Sequence, residues 1–208
     1  MEGSRPTLIV VSGPPGAGKT TLAHRLARRI GCPAVCRDEI KEGMVLATPG
    51  FVASERDELT LRTLPTFFSA LRLLLEAGVT TVAEAAFQDR IWRPNLQPLA
   101  EVSNIRVVQC VDDEAVTRER VRLRAGSEST RRAHADSQAH RLMGAGFVRL
   151  SLDVPSIEVD TTDGYVPGLE AIASFAIGRT ASLGRAASAC QHASEPPVSA
   201  EWRTRPAP

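Results

Sequence analysis

Eight residues near the amino terminus have the types and spacing that phosphate binding requires. Gly13 to Thr20 read G-P-P-G-A-G-K-T and match the G-x-x-x-x-G-K-[ST] pattern in full. The glycines let backbone N–H groups turn toward one anion, and a helix beginning there adds its positive end. Lys19 can reach the β- and γ-phosphates, and the Thr20 hydroxyl can ligate Mg²⁺. The motif predicts binding of a nucleoside triphosphate with magnesium through Gly13, Pro14, Pro15, Gly16, Ala17, Gly18, Lys19, Thr20 and Thr21.

Two acidic residues lie where they could act on a phosphate bound to this loop. Glu84 follows a predicted third strand, so its carboxylate either approaches the metal, directly or through water, or serves the acceptor site instead. Asp38 follows a predicted second strand and is expected to face the γ-phosphate across the cleft. A kinase needs a base there to accept the proton of the attacking hydroxyl, whereas a helix beginning near Glu39 needs only a cap. The spacing leaves both alternatives open for each residue.

Arginines are concentrated after the predicted fourth strand. Arg120 and Arg124 are four residues apart and would share one helix face, and a polar stretch at 126–137 follows them. Arginines on a mobile lid neutralise charge during phosphoryl transfer and exclude water. A solvated helix face followed by a flexible loop is the alternative. A nucleic-acid groove is not expected, because only 4% of the residues are aromatic.

Lysine and cysteine are both scarce, and each has a bearing on chemistry. Of 25 lysines and arginines only Lys19 and Lys41 are lysines, which suggests that these two positions need a compact ammonium.

The four cysteines lack the spacing of a zinc knuckle, and Cys32 and Cys36 have no histidine close to them in sequence. We therefore expect reduced, mostly buried thiols.

Alternating strands and helices must position these residues. Apolar runs predict strands at 7–12, 34–37, 79–83, 105–111 and 156–159. Helical periodicity follows each strand, with a long helix around 61–75 that Pro65 could kink or split, and further helices at 92–101, 113–124, 138–147 and 168–177. Such alternation implies right-handed crossovers and a parallel sheet covered on both faces. The predicted fold class is α/β.

Composition describes a globular domain with a tail. The chain has 208 residues, 43% of them apolar and 24% charged, with a formal net charge of +1. This balance excludes wholesale disorder and gives no electrostatic case for a nucleic-acid or membrane-surface protein. No apolar run is long enough to span a bilayer, and no signal peptide is recognised, so we expect a cytoplasmic protein. Residues 1–178 are predicted to form the domain, and 179–208, rich in Ala, Ser and Pro, a disordered tail.

Several segments together resemble a known family. They are GPPGAGKTTLAHRLA, CRDEIKEG, the strand with Glu84, ERVRLR and EVDTTD. The combination looks like the predicted AAA-type kinases of the P-loop kinase superfamily, a group similar to chloramphenicol phosphotransferase, the zeta toxins, gluconate kinase and polynucleotide 5′-kinase. The likeness runs from about Thr7 to Ile177, and the loop motif is its most specific part.

The resemblance implies a structure and a set of roles. The fold would be a P-loop three-layer sandwich with a five-stranded sheet of order 2-3-1-4-5 and an arginine-bearing lid. ATP would be the phosphoryl donor and Asp38 the base. Arg120 would lie near the adenine, Arg124 near the transferring phosphate, and Thr161 beside the base of the nucleotide. The group commonly has an aspartate where this chain has Glu84.

An acceptor pocket is expected between the segment after Asp38 and the region after the third strand. Its candidate residues mix apolar and polar groups, which suits a small organic alcohol better than a polyanion. They are Asp38, Arg37, Phe87, Gln88 and Arg90, with Met44, Phe51, Phe67, Phe68, Asp89 and Trp92 as further wall or core residues. The leading hypothesis is an ATP-dependent small-molecule kinase, monomeric or homodimeric, with antibiotic O-phosphorylation as one version. The alternatives are a nucleotide, sugar or polynucleotide 5′-hydroxyl kinase, and a switch or toxin-like protein acting through a partner.

Overall fold

A five-stranded parallel sheet lies at the centre of the computed structural model, which describes residues 5–54, 57–113, 116, 120 and 146–178. The strands stand in the order β2-β3-β1-β4-β5, which confirms the predicted order. They are β1 (Thr7–Ser12), β2 (Ala34–Cys36), β3 (Thr81–Glu84), β4 (Asn104–Val111) and β5 (Ser156–Asp160). Because all five are parallel, their carboxyl ends meet at one edge, where α/β proteins bind ligands.

Helices cover both faces of the sheet, so the predicted three layers are present. Numbered over the described residues, they are α1 (Lys19–Ile30), α2 (Arg37–Leu46), α3 (Glu58–Glu76), α4 (Asp89–Leu96) and α5 (Leu169–Ala176), with a 3₁₀ turn at Pro98–Glu101. One face carries a core in which Leu22 of α1 and Ile172 of α5 pack on the sheet. The other face carries Phe67 of α3 and Trp92 of α4. Among the described residues no helix has both the length and the apolar character that a bilayer crossing demands.

The junction between β2 and α2 differs from the prediction in a way that affects the site. β2 ends at Cys36 and α2 begins at Arg37, so Asp38 lies inside the first turn of the helix. Cys36 occupies the N-cap position, and no side chain caps this helix. The interpretation of Asp38 as a helix cap is therefore wrong. Its carboxylate instead belongs to a helical turn at the carboxyl edge of the sheet.

Other boundaries shift for simple physical reasons. Pro65 neither splits nor ends α3, because its side of the helix faces solvent and water can satisfy the carbonyl that its missing N–H leaves unbonded. The predicted helix 92–101 begins earlier, at Asp89, and gives way to a 3₁₀ turn at Pro98. The predicted helices at 113–124 and 138–147 fall almost wholly outside the described residues. The predicted lid and the tail at 179–208 lie outside them as well.

A buried ion pair holds α2 against the start of α3. Lys41 is 2% exposed, and its Nζ donates to Asp57 Oδ2 at 3.0 Å. Asp57 is also the N-cap of α3, where its Oδ1 accepts a hydrogen bond from Thr60 N at 2.7 Å. Burial acts to raise the pKa of the Asp57 carboxyl, but the hydrogen bonds from Lys41 and Thr60 outweigh burial, and the pKa lies below its ordinary value. Lys41, the second lysine of the chain, therefore places its ammonium in a buried ion pair with Asp57.

We predict that Lys41→Met lowers the free energy of unfolding by about 3–5 kcal/mol, because the Asp57 carboxylate would remain buried without its cation. Urea unfolding followed by circular dichroism measures the change. Arg72→Met is the matched control, since Arg72 pairs with Glu76 on the exposed face of α3 and its loss should cost at most about 0.5 kcal/mol. Adding Asp57→Asn to Lys41→Met should recover part of the loss, because asparagine still caps α3. Equal destabilisation by Lys41→Met and by the control would contradict the prediction.

Candidate active site

The loop between β1 and α1 has the backbone conformation that its glycines predict. Gly13 has φ +149°, and a Cβ there would lie 2.5 Å from the carbonyl oxygen of Cys110 on β4. Gly18 has φ +64° and is the N-cap of α1. Within the loop Ala17 N donates to Pro14 O at 3.3 Å and Gly18 N donates to Gly16 O at 2.9 Å. The loop thus turns tightly into the N-terminus of α1, whose positive end favours an anion.

Lys19 and Thr20 converge on Glu84. Lys19 Nζ donates to the carbonyl of Pro14 at 2.8 Å, which holds the ammonium over the loop, and lies 3.9 Å from Glu84 Oε1. Thr20 Oγ1 donates to Glu84 Oε2 at 3.1 Å. The parallel register explains this meeting, because Glu84 ends β3 beside Val11 of β1. The structure therefore brings the Lys19 and Thr20 side chains of the loop motif together with Glu84, which was predicted from the third strand.

The environment of Glu84 fits a hard divalent cation. The side chain is 3% exposed, and burial raises the pKa of its carboxyl; Lys19 and the hydrogen bond from Thr20 oppose this shift, while the Asp38 and Glu39 carboxylates add to it. The Thr20 hydroxyl and the Glu84 carboxylate are neighbouring oxygen groups, linked by a hydrogen bond of 3.1 Å, and oxygen is the ligand type that Mg²⁺ prefers.

Asp38 lies at the same edge in a different environment. Its side chain is 57% exposed, and its Oδ1 accepts a hydrogen bond from Arg37 Nη1 at 2.8 Å. Cys36, two residues earlier, pairs in register with Glu84, so the first turn of α2 begins beside the end of β3. The Arg37 side chain is mostly buried, and among the described residues its Nε has no hydrogen-bond partner. Asp38 is thus an accessible carboxylate next to a buried one.

Thr161 and Arg120 lie on the opposite side of the phosphate-binding loop. Thr161 Oγ1 is 3.1 Å from Ala17 O, which attaches the segment after β5 to the loop. Arg120 Nη2 donates to Thr161 O at 2.8 Å and to Thr162 O at 3.0 Å. Its Nη1 is 3.6 Å from Asp112 Oδ2, a partner that the sequence did not indicate. Arg120 and Thr161 are therefore in direct contact, whereas Arg124 lies outside the described residues.

Some of the residues predicted to line the acceptor pocket belong to the hydrophobic core. Phe67 and Trp92 are fully buried, so the interpretation of Trp92 as a pocket wall is wrong: its indole Nε1 donates to Ser12 Oγ at 3.1 Å beneath the loop. Phe68 and Phe87 are half-buried and stack with centroids 6.0 Å apart against this core. Gln88, Arg90, Met44 and Phe51 lie at or near the surface of the same region.

The Asp89 carboxylate is held by a backbone hydrogen bond and an ion pair. Its Oδ1 accepts from Ser151 N at 2.9 Å, and Arg93 forms an ion pair with it at 2.9 Å along α4. The hydrogen bond from Ser151 N, together with Arg93, lowers the pKa of this carboxyl and outweighs burial.

Thr21, predicted to bind the nucleotide, is exposed on α1.

One group of side chains escaped sequence reasoning altogether. His24, Cys36 and Glu39 meet at the junction of α1, β2 and α2, although the chain separates His24 from Cys36 by twelve positions. No local spacing signals this arrangement. It could have been anticipated only by noting that β2 lies beside β3 and that α1 crosses over this part of the sheet.

Comparison with known proteins matches the chain to one family model and one curated relative. Residues 8–150 match the AAA_33 family, described as an AAA domain. A shikimate kinase from Corynebacterium efficiens is 43% identical over 61 residues, which are 29% of this chain and 36% of that enzyme. The chain therefore matches about a third of the length of this relative.

Solved structures extend the likeness to the whole described fold. A protein from Chloroflexus aurantiacus J-10-fl, described as a candidate kinase, is 25% identical, with a TM-score of 0.73 over 86% of this chain and 100% of its own. A sugar kinase from Janibacter sp. HTCC2649 is 20% identical, with a TM-score of 0.58 over 84% of this chain and 96% of its own, and is similar in fold. Because the family model covers more than half of the chain, the chain belongs to the AAA_33 family of AAA domains, and the structural similarity agrees with the fold of the P-loop kinases.

Proposed function

We propose that this protein is an ATP- and Mg²⁺-dependent kinase that transfers the γ-phosphoryl group to a hydroxyl of a small molecule. One observation carries the proposal: two carboxylates with opposite environments lie at one edge of the sheet beside the phosphate-binding loop. Glu84 is buried against Lys19 and Thr20, and Asp38 is accessible. Pairs of acids with divergent environments are typical of sites that divide two chemical roles between them.

The buried carboxylate and the loop are suited to binding the donor. Glu84 and the Thr20 hydroxyl would hold Mg²⁺, which when bound neutralises phosphate charge. Lys19 would move from the Pro14 carbonyl to the β- and γ-phosphates, a short movement for a flexible side chain. On the far side Arg120 and Thr161 form a surface against which the nucleotide base would lie.

The accessible carboxylate is suited to the acceptor. Asp38 would accept the hydroxyl proton as the acceptor oxygen bonds to phosphorus and the bond from phosphorus to the departing ADP oxygen breaks. Arg37 orients Asp38 through the 2.8 Å hydrogen bond. A nucleotide-dependent switch needs no such base, so these contacts favour transfer to an alcohol over a switch or toxin-like role.

The class of acceptor can be narrowed by charge. Arg37 Nε is buried and has no hydrogen-bond partner among the described residues, although it lies beside Asp38. A carboxylate on an acceptor bound beside Asp38 would pair with the accessible part of the Arg37 guanidinium, whose charge Asp38 only partly shares. The curated relative, which matches over 61 residues, is a shikimate kinase. We therefore place carboxylate-bearing polyols first among acceptors, and neutral alcohols, including hydroxyl-bearing antibiotics, second.

The test is a screen of acceptors with γ-labelled ATP and Mg²⁺ on the full-length protein. Sets of carboxylate-bearing polyols, neutral sugars, nucleosides, oligonucleotide 5′-hydroxyls and antibiotics separate the alternatives. We expect one set to yield a labelled small product and to raise ADP formation. ATP hydrolysis that no acceptor changes would overturn the proposal and favour a switch.

We predict that Lys19→Met lowers kcat/KM by about 10²–10³-fold, the cost of losing one charged donor to the transferring phosphate. Steady-state ADP release measures the effect. Arg28→Met is the control, because Arg28 is an exposed cation on the same helix and should retain parental activity. Parental activity in Lys19→Met would refute the role of the loop.

We predict that Asp38→Asn keeps ATP affinity and the fold but lowers phosphoryl transfer by about 10²–10⁴-fold, because asparagine cannot accept the hydroxyl proton. In a loose transition state the hydroxyl proton is transferred late, so the base contributes less to the rate. A fall in phosphoryl transfer of about 10²-fold therefore agrees with the prediction. The measurements are ATP binding by calorimetry and transfer to the acceptor found in the screen. Glu58→Gln, an exposed acid in the first turn of α3, is the matched control. Transfer at the parental rate in Asp38→Asn would rule out Asp38 as the base.

A further inference from the structure

Three side chains of metal-ligating type meet where α1, β2 and α2 join. His24 Nε2 lies 2.6 Å from Glu39 Oε1 and 3.7 Å from Cys36 Sγ. One ligand atom from each residue lies within 4.8 Å of the others. Each comes from a different element, namely the middle of α1, the last residue of β2 and the first turn of α2. The fold therefore assembles an imidazole, a thiol and a carboxylate that are separate in sequence.

The burial of the three residues is uneven and leaves one side open. Cys36 is 2% exposed, whereas the side chains of His24 and Glu39 are 37% and 46% exposed. The thiol thus forms the inner wall, and the other two groups form a rim. This arrangement gives an ion a route from solvent and leaves room for a water molecule as a further ligand.

The distances approach those of a tetrahedral zinc site. With Zn–S and Zn–N bonds of about 2.3 and 2.0 Å, the sulfur and nitrogen ligands are about 3.5 Å apart. The separation of 3.7 Å between Cys36 Sγ and His24 Nε2 is close to this value. Glu39 must move outward by less than about 1 Å, because ligand N and O atoms in such a site are about 3.4 Å apart. Its exposed side chain is free to rotate that far.

We propose that His24 Nε2, Cys36 Sγ and a Glu39 carboxylate oxygen bind one Zn²⁺ ion, with water as the fourth ligand. On binding, zinc forms bonds to the Cys36 sulfur, to His24 Nε2 and to a Glu39 oxygen. The thiol proton passes to solvent, the proton that His24 Nε2 shares with Glu39 leaves that nitrogen, and five of the six waters of the hydrated ion are released. Imidazole and thiolate select zinc over magnesium, which needs oxygen ligands such as those of Thr20 and Glu84. The two ions therefore occupy different places at the same edge of the sheet.

The surrounding charge favours a cation at this place. The carboxylates of Asp38 and Glu84 lie close enough to interact electrostatically with Cys36, besides that of Glu39 itself. Arg37 is the opposing charge on the same turn, and Asp38 pairs with it. Since the ligands at 36 and 39 flank Asp38 in sequence, a bound ion would fix the turn that carries the proposed base.

Cobalt provides the direct test, because a Co²⁺–thiolate bond produces a near-ultraviolet charge-transfer absorption. The reduced, metal-free, full-length protein is titrated with Co²⁺ without nucleotide and with excess Mg²⁺ to occupy oxygen-only sites. We expect the absorption to saturate at one equivalent and to disappear when Zn²⁺ is added. Cys36→Ser should abolish it, and Cys32→Ser, which changes a half-buried thiol outside the cluster, should leave it intact.

Two further variants keep the test valid if Cys36→Ser fails to fold. His24→Asn and Glu39→Gln change partly exposed side chains. Loss of a residue that only hydrogen-bonds to a metal ligand lowers metal affinity by about 10–100-fold. Because these two variants remove ligands themselves, zinc affinity measured by calorimetry should fall by more than that. Zinc should also raise the melting temperature of the parent protein by mass action and not that of His24→Asn. Absence of the charge-transfer band, or zinc affinity that is the same in all variants, would overturn the proposal. The outcome is independent of kinase activity.

Discussion

The burial of the Glu84 carboxylate is the constraint on which the rest of the site depends. A carboxylate removed from water is stable only when nearby cations and donors replace its hydration. Lys19 and Thr20 supply that replacement, and they are the two loop residues that we propose act on the nucleotide and its metal. The loop, the start of α1 and the end of β3 are therefore held at one spacing. A single acid thus accounts for the meeting of motifs that are 64 positions apart in sequence.

Sequence reasoning succeeded where local chemistry dictates geometry. The loop motif and the alternation of strands and helices indicated the α/β sandwich, and the family resemblance supplied its strand order. Reasoning failed where tertiary contacts decide. For Trp92 the sequence left pocket wall and core both open, and the choice depends on the Ser12 hydroxyl, which gives the indole a partner inside the core. No sequence pattern links His24 with Cys36, because their contact depends on how α1 crosses the sheet. The helical position of Asp38 was missed since Cys36, a poor capping residue, precedes the helix.

The position of the proposed base depends on contacts far from phosphate. Asp38 and Lys41 are three residues apart on α2, so the buried pair of Lys41 with Asp57 holds the neighbouring turn of the same helix against α3. Arginine would not replace Lys41 easily, because its planar guanidinium has five donors to satisfy in a space built for one ammonium. This explains in physical terms why lysine persists at that position in a chain otherwise dominated by arginine.

The hydrogen bond between Trp92 and Ser12 gives the molecule an internal optical reporter. Ser12 is the residue directly before Gly13, so the indole touches the strand end from which the phosphate-binding loop departs. Indole fluorescence responds to the polarity and hydrogen bonding around its ring. The sequence has two tryptophans, and replacing Trp202 would leave Trp92 as the sole emitter. Loop rearrangement on nucleotide binding would then be readable in real time, without a dye or a coupled enzyme, from a ring that is shielded from solvent quenchers.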